Sequence, residues 1–276
     1  MKKQKRLLLA GDILGVLVTA LLFLIPFYWM FIQSIKTKKE AAKLAISWPS
    51  EIHFENYLEV FKFNNYQLVR AFKNSTVLTF FTVLGLLFTA AMAAYVIQRR
   101  HDKVMTAIQS VIMIGLMIPA AILPTIHLLQ TMHIYKTMFS MVMIEIALQT
   151  PFAIMLYRGY MASIPRELEE AARIDGCSRW QIFTKVIFPL LKPIQATLII
   201  LVGVQTFNDF TNPLYFLPGA ENVTVQQTLY NYRSQVQSSY NLLFADIIII
   251  TIPMLILFLI FNKRIVDGMV AGSVKG

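Results

Sequence analysis

Six long apolar runs set the terms for this chain. They cover residues 11–33, 71–97, 104–130, 138–160, 186–216 and 243–262. A bilayer core about 30 Å thick takes about 20 apolar residues of α-helix at 1.5 Å per residue, so each run is long enough to cross one. Composition agrees: 57% of the 276 residues are hydrophobic and 14% are charged, where a soluble domain carries about a quarter charged residues. The expected class is all-α, a single polytopic membrane domain of six transmembrane helices. The fifth run exceeds one span and is expected to project beyond the membrane or to break.

The first run follows Lys2, Lys3, Lys5 and Arg6 and stays apolar to about Ile32. A signal peptide has that polarity, but its apolar core is about 7–15 residues. The run is read as a retained first span. Basic residues near span ends then orient the chain. With the N-terminus inside, segments 1–10, 98–103, 161–185 and 263–276 are cytoplasmic. They hold Arg99, Arg100, Lys103, Arg166, Arg173, Arg179, Lys185, Lys263, Arg264 and Lys275. Segments 131–137 and 217–242 face outward and hold only Lys136 and Arg233. The outer segment 34–70 is mixed, with six basic residues among Glu40, Glu51, Glu55 and Glu59. Both termini are expected in the cytoplasm of a bacterial-type inner or plasma membrane.

A net charge of +10 suggests nucleic acid in a soluble chain. Here the cations collect on inner loops, so no nucleic-acid partner is expected. Cys177 is the one cysteine, which excludes an internal disulfide and Cys-based metal sites. His53, His101, His127 and His133 show no metal-ligand spacing with carboxylates, and no metal is expected. Pro26, Pro119, Pro124, Pro151, Pro189, Pro193, Pro213 and Pro253 lie in or beside the spans and favour kinks there.

Between the fourth and fifth spans stands "PRELEEAARIDGCSRWQIFTKVIFP", residues 165–189. Ser163 is expected to cap a helix with Pro165 in its first turn. Glu167, Glu169 and Glu170 suit its positive N-terminal end. Arg166 with Glu170, and Glu169 with Arg173, are spaced to meet. Gly176 supplies a stop, and Ser178-x-x-Gln181 fits a capping box opening a second helix to about Phe188. Leu168, Ala171, Ala172 and Asp175 fall on one face, flat enough for another surface to approach. The residues alone are compatible with a docking face or a solvated helix held by ion pairs.

Glu170-Ala171-Ala172, Asp175-Gly176 and Ile187-x-Pro189 resemble the EAA motif of binding-protein-dependent ABC importer permeases, with Phe188 in place of the usual Leu. "FNDFTNPLYF" (207–216) is similar to the W-N-D-F-x-x-P-L stretch of sugar permeases of the maltose-transporter type, Phe207 replacing Trp. "DGMVAGSVKG" (267–276) resembles the family's terminal G-x-x-x-G-A-V-K-G, Ser273 replacing Ala. The resemblance implies the transmembrane domain of a type I ABC importer. It implies that the hairpin, with Glu170, Ala171, Ala172, Arg173, Ile174, Asp175 and Gly176, is a coupling helix seated on a separate ATPase. It also implies a second permease, two ATPase subunits, an extracellular solute-binding protein and a sugar or oligosaccharide substrate. This chain has no G-x-x-x-x-G-K-[ST] phosphate loop. ATP and Mg are therefore expected on the ATPase, with no cofactor on this chain.

Polar groups at membrane depth are functional candidates by default. Glu145 and Gln149 share a face of the fourth span; Gln205, Asn208 and Asp209 cluster in the fifth. Amides and carboxylates suit sugar hydroxyls, and Phe207, Phe210, Tyr215 and Phe216 offer rings for an apolar sugar face. The same polar groups also suit hydrogen bonding between helices. Two rival classes remain. An ion-gradient-driven secondary transporter wants inverted repeats and a midplane carboxylate relay. A membrane enzyme wants a catalytic constellation at one interface; none is found, and no catalytic residue is assigned.

Overall fold

The computed structural model describes residues 2–100, 102–118, 120–233 and 238–273, with side chains between 11 and 260. The N-terminal basic cluster, His101, Pro119, Lys263, Arg264, Lys275 and the terminal motif 267–276 lie outside the described side chains. Among the described residues the secondary structure is helical, with no strand.

The longer helices are α1 (Lys2–Ser34), α3 (Glu55–Arg99), α4 (Lys103–Gly115), α5 (Ile122–Thr131), α6 (Met138–Met161), α7 (Glu167–Ile174), α10 (Lys192–Phe207) and α13 (Tyr240–Ser273). Short ones are α2 (Lys38–Ala41), α8 (Arg179–Gln181), α9 (Phe188–Leu190), α11 (Thr211–Phe216) and α12 (Val225–Thr228). Four helices are long and apolar enough to cross a membrane: Gly11–Ser34, Glu55–Arg99, Met138–Met161 and Tyr240–Ile260. A fifth candidate is bent by 71° where Arg179–Leu190 meets Lys192–Phe207.

Two boundaries differ from the sequence reading. The run 104–130 is not one helix but α4 and α5, parted by a turn at residues 116–118. Proline disfavours helical backbone in the residue before it, and Pro119 follows Ile118 in the sequence. The second span begins earlier than residue 71, because α3 already starts at Glu55. The polar stretch 55–70 reads as loop, yet it coils up to a break at Phe63–Tyr66. There Asn64, Asn65 and Tyr66 take left-handed φ of 46°, 54° and 59°. Asparagine tolerates that region better than most residues. The run 186–216 breaks twice, into α9, α10 and α11, one of the two outcomes its excess length led one to expect.

The chain forms two compact units, one from residues up to 69 with 227–253, the other from 70–226 with those beyond 253. In the first, Lys36 is buried with its ammonium on the Ala45 carbonyl, 2.7 Å away. Burial lowers its pKa, opposed by Glu40. Asn56 Nδ2 donates to the Ser34 and Lys36 carbonyls and Asn241 Nδ2 to Asn56 Oδ1, so the segment after α1 is pinned by polar bonds. The second unit centres on α3 and α6. Ala90, Ala91 and Ala94 present a small-residue face with no exposure, which permits close helix approach. A Cβ on Gly85 would fall 2.5 Å from Ile146 Cδ1. Tyr157 closes the contact by donating to the Leu87 carbonyl at 3.1 Å. On its other sides α6 packs α4, α10 and α11.

Candidate functional site

The hairpin is built from the turn outward. The last turn of α7 closes with Cys177 N–H on the Ala172 carbonyl and Gly176 N–H on the Arg173 carbonyl. That pair of hydrogen bonds needs left-handed backbone at the residue after the cap, and Gly176 supplies φ of 80°. Ser178 then opens α8 with a reciprocal capping box: its Oγ accepts from Gln181 N–H, and Gln181 Oε1 accepts from Ser178 N–H at 2.8 Å. The second helix is not plain α. A π-helical turn occupies Ile182–Ile187, ahead of Pro189 and Pro193, which remove two helix donors four residues apart. Trp180, Phe183 and Phe188 gather around Phe88 of α3 with ring centroids 5.9–6.2 Å away.

Two local expectations fail. Ser163 does not cap α7: its Oγ donates back to the Tyr160 carbonyl at the end of α6, and Arg166 holds the cap position with helical φ and ψ and no side-chain cap bond. Glu169 does not turn to Arg173. It is buried and accepts from Arg99 Nε at 2.6 Å and from Tyr95 OH at 2.8 Å. Arg99 Nη2 also donates to the Ile164 carbonyl. The paired side chains are 15% and 9% exposed, so the hairpin is clamped to the end of α3. This rotation splits the expected face. Ala172 packs inward, while Glu170, Ala171, Arg173, Ile174, Asp175 and Gly176 are exposed. Leu168, Ala171 and Ile174 make an outward apolar ridge, with Ile174 86% exposed.

The polar span residues do meet. Glu145, Gln149, Gln205, Asn208 and Asp209 line one cavity of about 440 Å³ with Leu148, Val204 and Asn212. Glu145 and Gln149 are buried on α6. Asp209 Oδ1 accepts from the backbone N–H groups of Thr211 (2.9 Å) and Asn212 (3.3 Å), which opens α11. Asp209 Oδ2 is buried, and the Asp209 and Glu145 carboxyl groups lie within side-chain hydrogen-bond reach of each other. Asn212 Nδ2 donates to Glu145 Oε1, and Gln226 Nε2 donates to Asn208 Oδ1 at 2.8 Å. Helix glue and cavity lining are thus the same groups here. The aromatic expectation fails: none of Phe207, Phe210, Tyr215 or Phe216 lines the cavity. Phe207 packs on Phe72, and Phe216 is buried with Leu78 and Met141.

Sequence reasoning passed over Asn212, whose signal was its place three residues after Asp209. It counted Arg99 as inner charge and did not single out Tyr95; their partner, Glu169, is distant in sequence. It also missed Asp246, a carboxylate inside the last apolar run, which is fully buried and accepts from Thr228 Oγ1 at 2.7 Å.

Residues 85–270, which contain both the hairpin and the cavity, match the family described as binding-protein-dependent transport system inner membrane component. The chain belongs to that family. The permease is 32% identical to the probable ABC transporter permease YurM of Bacillus subtilis, over 91% of this chain and 83% of that one. It is 31% identical to the melibiose/raffinose/stachyose import permease MelC of the same organism, over 94% of each. Its fold matches a crystal structure of a bacterial ABC transporter involved in import of the acidic polysaccharide alginate, with a TM-score of 0.81 at 22% identity, covering 94% of the permease and 97% of that chain. The permease is a multi-pass membrane protein of the carbohydrate branch of ABC importer permeases.

Proposed function

We propose that this permease moves a sugar or oligosaccharide into the cell as part of a complex with a second permease or second copy, two ATPase subunits and an external solute-binding protein. ATP and Mg act on the ATPases, and this chain holds no cofactor. Both termini and the hairpin lie in the cytoplasm, as the basic inner segments favour. The observation that carries the coupling role is the outward ridge of Leu168, Ala171 and Ile174 on a hairpin otherwise edged with charge. A large aliphatic side chain as exposed as Ile174 gains most by burial in a partner, here a cleft on the ATPase. Force from ATPase closure enters at that ridge. It leaves through the Glu169–Arg99 pair into α3 and through the hairpin's two ends into α6 and α10. Sugar-import relatives support the cargo class, and the amide and carboxylate lining of the cavity suits hydroxyls.

The test is reconstituted uptake of labelled neutral sugars with the native ATPases and binding protein. Ile174→Asp is expected to abolish ATP-driven uptake while the chain still inserts. Normal uptake by that variant at normal expression refutes the coupling role. Uptake that needs no ATP but collapses with an ionophore establishes a gradient-driven carrier instead.

A further inference from the structure

Resting on the sugar-import reading above, we infer that the Glu145–Asp209 cavity is a charge filter: it accepts uncharged or amine-bearing saccharides and rejects carboxylated ones. Three observations converge. The first is the lining, which contains two carboxylates, four carboxamides and two aliphatic side chains, with no Lys, Arg or His. The second is the bonding already in place. Asn212 Nδ2 donates to Glu145, and Asn208 Oδ1 accepts from Gln226, so one amide donor and one amide acceptor of the wall are already in use. The third is the contact between the Glu145 and Asp209 carboxyl groups, close enough to hydrogen-bond through one shared proton, which leaves the pair a single negative charge in the wall.

A carboxyl pair bearing charge in a partly dehydrated cavity is best met by a group that brings an O–H or N–H. A sugar hydroxyl does so with a charge-assisted hydrogen bond, and an ammonium does so with opposite charge as well. A uronate carboxylate brings neither, and it places a like charge beside Glu145 and Asp209 in a poorly screened site. The carboxamides of Gln149 and Gln205 serve hydroxyls of either configuration, so the cavity sorts by charge more sharply than by stereochemistry.

The experiment uses the whole permease–ATPase complex without its binding protein, so that only the membrane cavity discriminates. Binding is read by saturation-transfer NMR and calorimetry. The probes are maltotriose, raffinose and cellotriose as neutral sugars, trigalacturonate as the acidic one and triglucosamine as the basic one. Trigalacturonate is expected to bind at least about tenfold more weakly than the best neutral probe, which corresponds to about 1.4 kcal/mol. In Glu145→Gln/Asp209→Asn, which keeps the acceptors for Asn212 and for the α11 backbone, the gap is expected to shrink to within about twofold. Triglucosamine is expected to lose affinity in that variant. If the double variant does not assemble, the same ratio is read in Asp209→Asn alone, where about half the gap is expected to close. Equal binding of acidic and neutral probes to the native complex overturns the filter, and so does an unchanged ratio in the variants. Binding of none of the five refutes direct sugar contact by this cavity. ATP-driven uptake of a neutral sugar in the full system, measured separately, tells that failure from failure of the importer reading.

Discussion

At the scale of single residues, Gly176 separates backbone geometry from bulk. Nothing lies within 4 Å of where its Cβ would be, so Gly176→Ala adds only the strain of left-handed backbone, about 1–2 kcal/mol. Gly176→Pro cannot reach φ of 80° and also deletes the N–H that bonds the Arg173 carbonyl at 3.1 Å. Labelled-sugar uptake is expected to fall modestly with Ala and to vanish with Pro, while membrane-fraction immunoblots show equal insertion. A second residue-scale prediction concerns pH. Glu40 accepts from the hydroxyl and the N–H of Ser50, and these bonds, the hydroxyl's first, hold its carboxyl below the usual range. A depressed carboxyl supports the fold above its unfolded pKa and loses that support as pH falls through the lowered value. Hydrogen exchange across 37–50 is therefore expected to quicken only in acid, and in Ser50→Ala to quicken at a higher pH. Both sites show what local sequence reveals. A glycine after a charged helix was readable as a stop, whereas the Glu40–Ser50 bond spans ten residues of irregular chain with no periodic signal.

Among elements, the hairpin's attachment is the informative case. Its Gly stop and capping box were legible because each rests on residues within three or four positions. Its inward face was not, because the choice between Arg173 and Arg99 as the partner of Glu169 depends on α3, some seventy residues earlier. The same limit explains Ser163, which had two backbone partners available and took the Tyr160 carbonyl behind it. It explains α4 and α5 too, where hydropathy runs on through the turn that ends the helix. The clamp carries its own prediction. Removing one member of a buried ion pair strands the other and costs about 3–5 kcal/mol. Glu169→Ala and Arg99→Ala are each expected to raise hydrogen exchange across 167–174. The double variant is expected to be less disturbed than the sum of the two, as coupling requires. Strictly additive effects mean that the pair, 2.6 Å apart, does not hold the hairpin.

On the scale of the whole molecule, six apolar runs were enough to place the chain in a membrane, and the motif likeness at residues 170–189, 207–216 and 267–276 to place it among permeases, while its interior chemistry needed the fold. The polar cavity and the hairpin belong to one compact unit, and two continuous helices join them. Gln149 lies twelve residues before the end of α6 at Met161, about 18 Å at 1.5 Å per residue. Gln205 lies thirteen residues into α10 from Lys192, about 20 Å. The hairpin thus bears on two rods of nearly equal length, each carrying one wall of the cavity. On the proposed coupling role, a tilt applied at Ile174 would reach both walls through these helices, with the 71° bend before Lys192 lying between the hairpin and α10. This arrangement works only if the ridge is on the ATP-bearing side and covered in the complex. With Cys177→Ser to remove the native thiol, Ile174→Cys becomes a reporter. A membrane-impermeant maleimide is expected to label it in inside-out vesicles stripped of ATPase, and not in sealed right-side-out cells. Rebinding the ATPases is expected to protect it at least about tenfold, since a buried thiol reacts only when the interface opens. Labelling from outside the cell inverts the topology, and labelling unaffected by the ATPases detaches the hairpin from the motor.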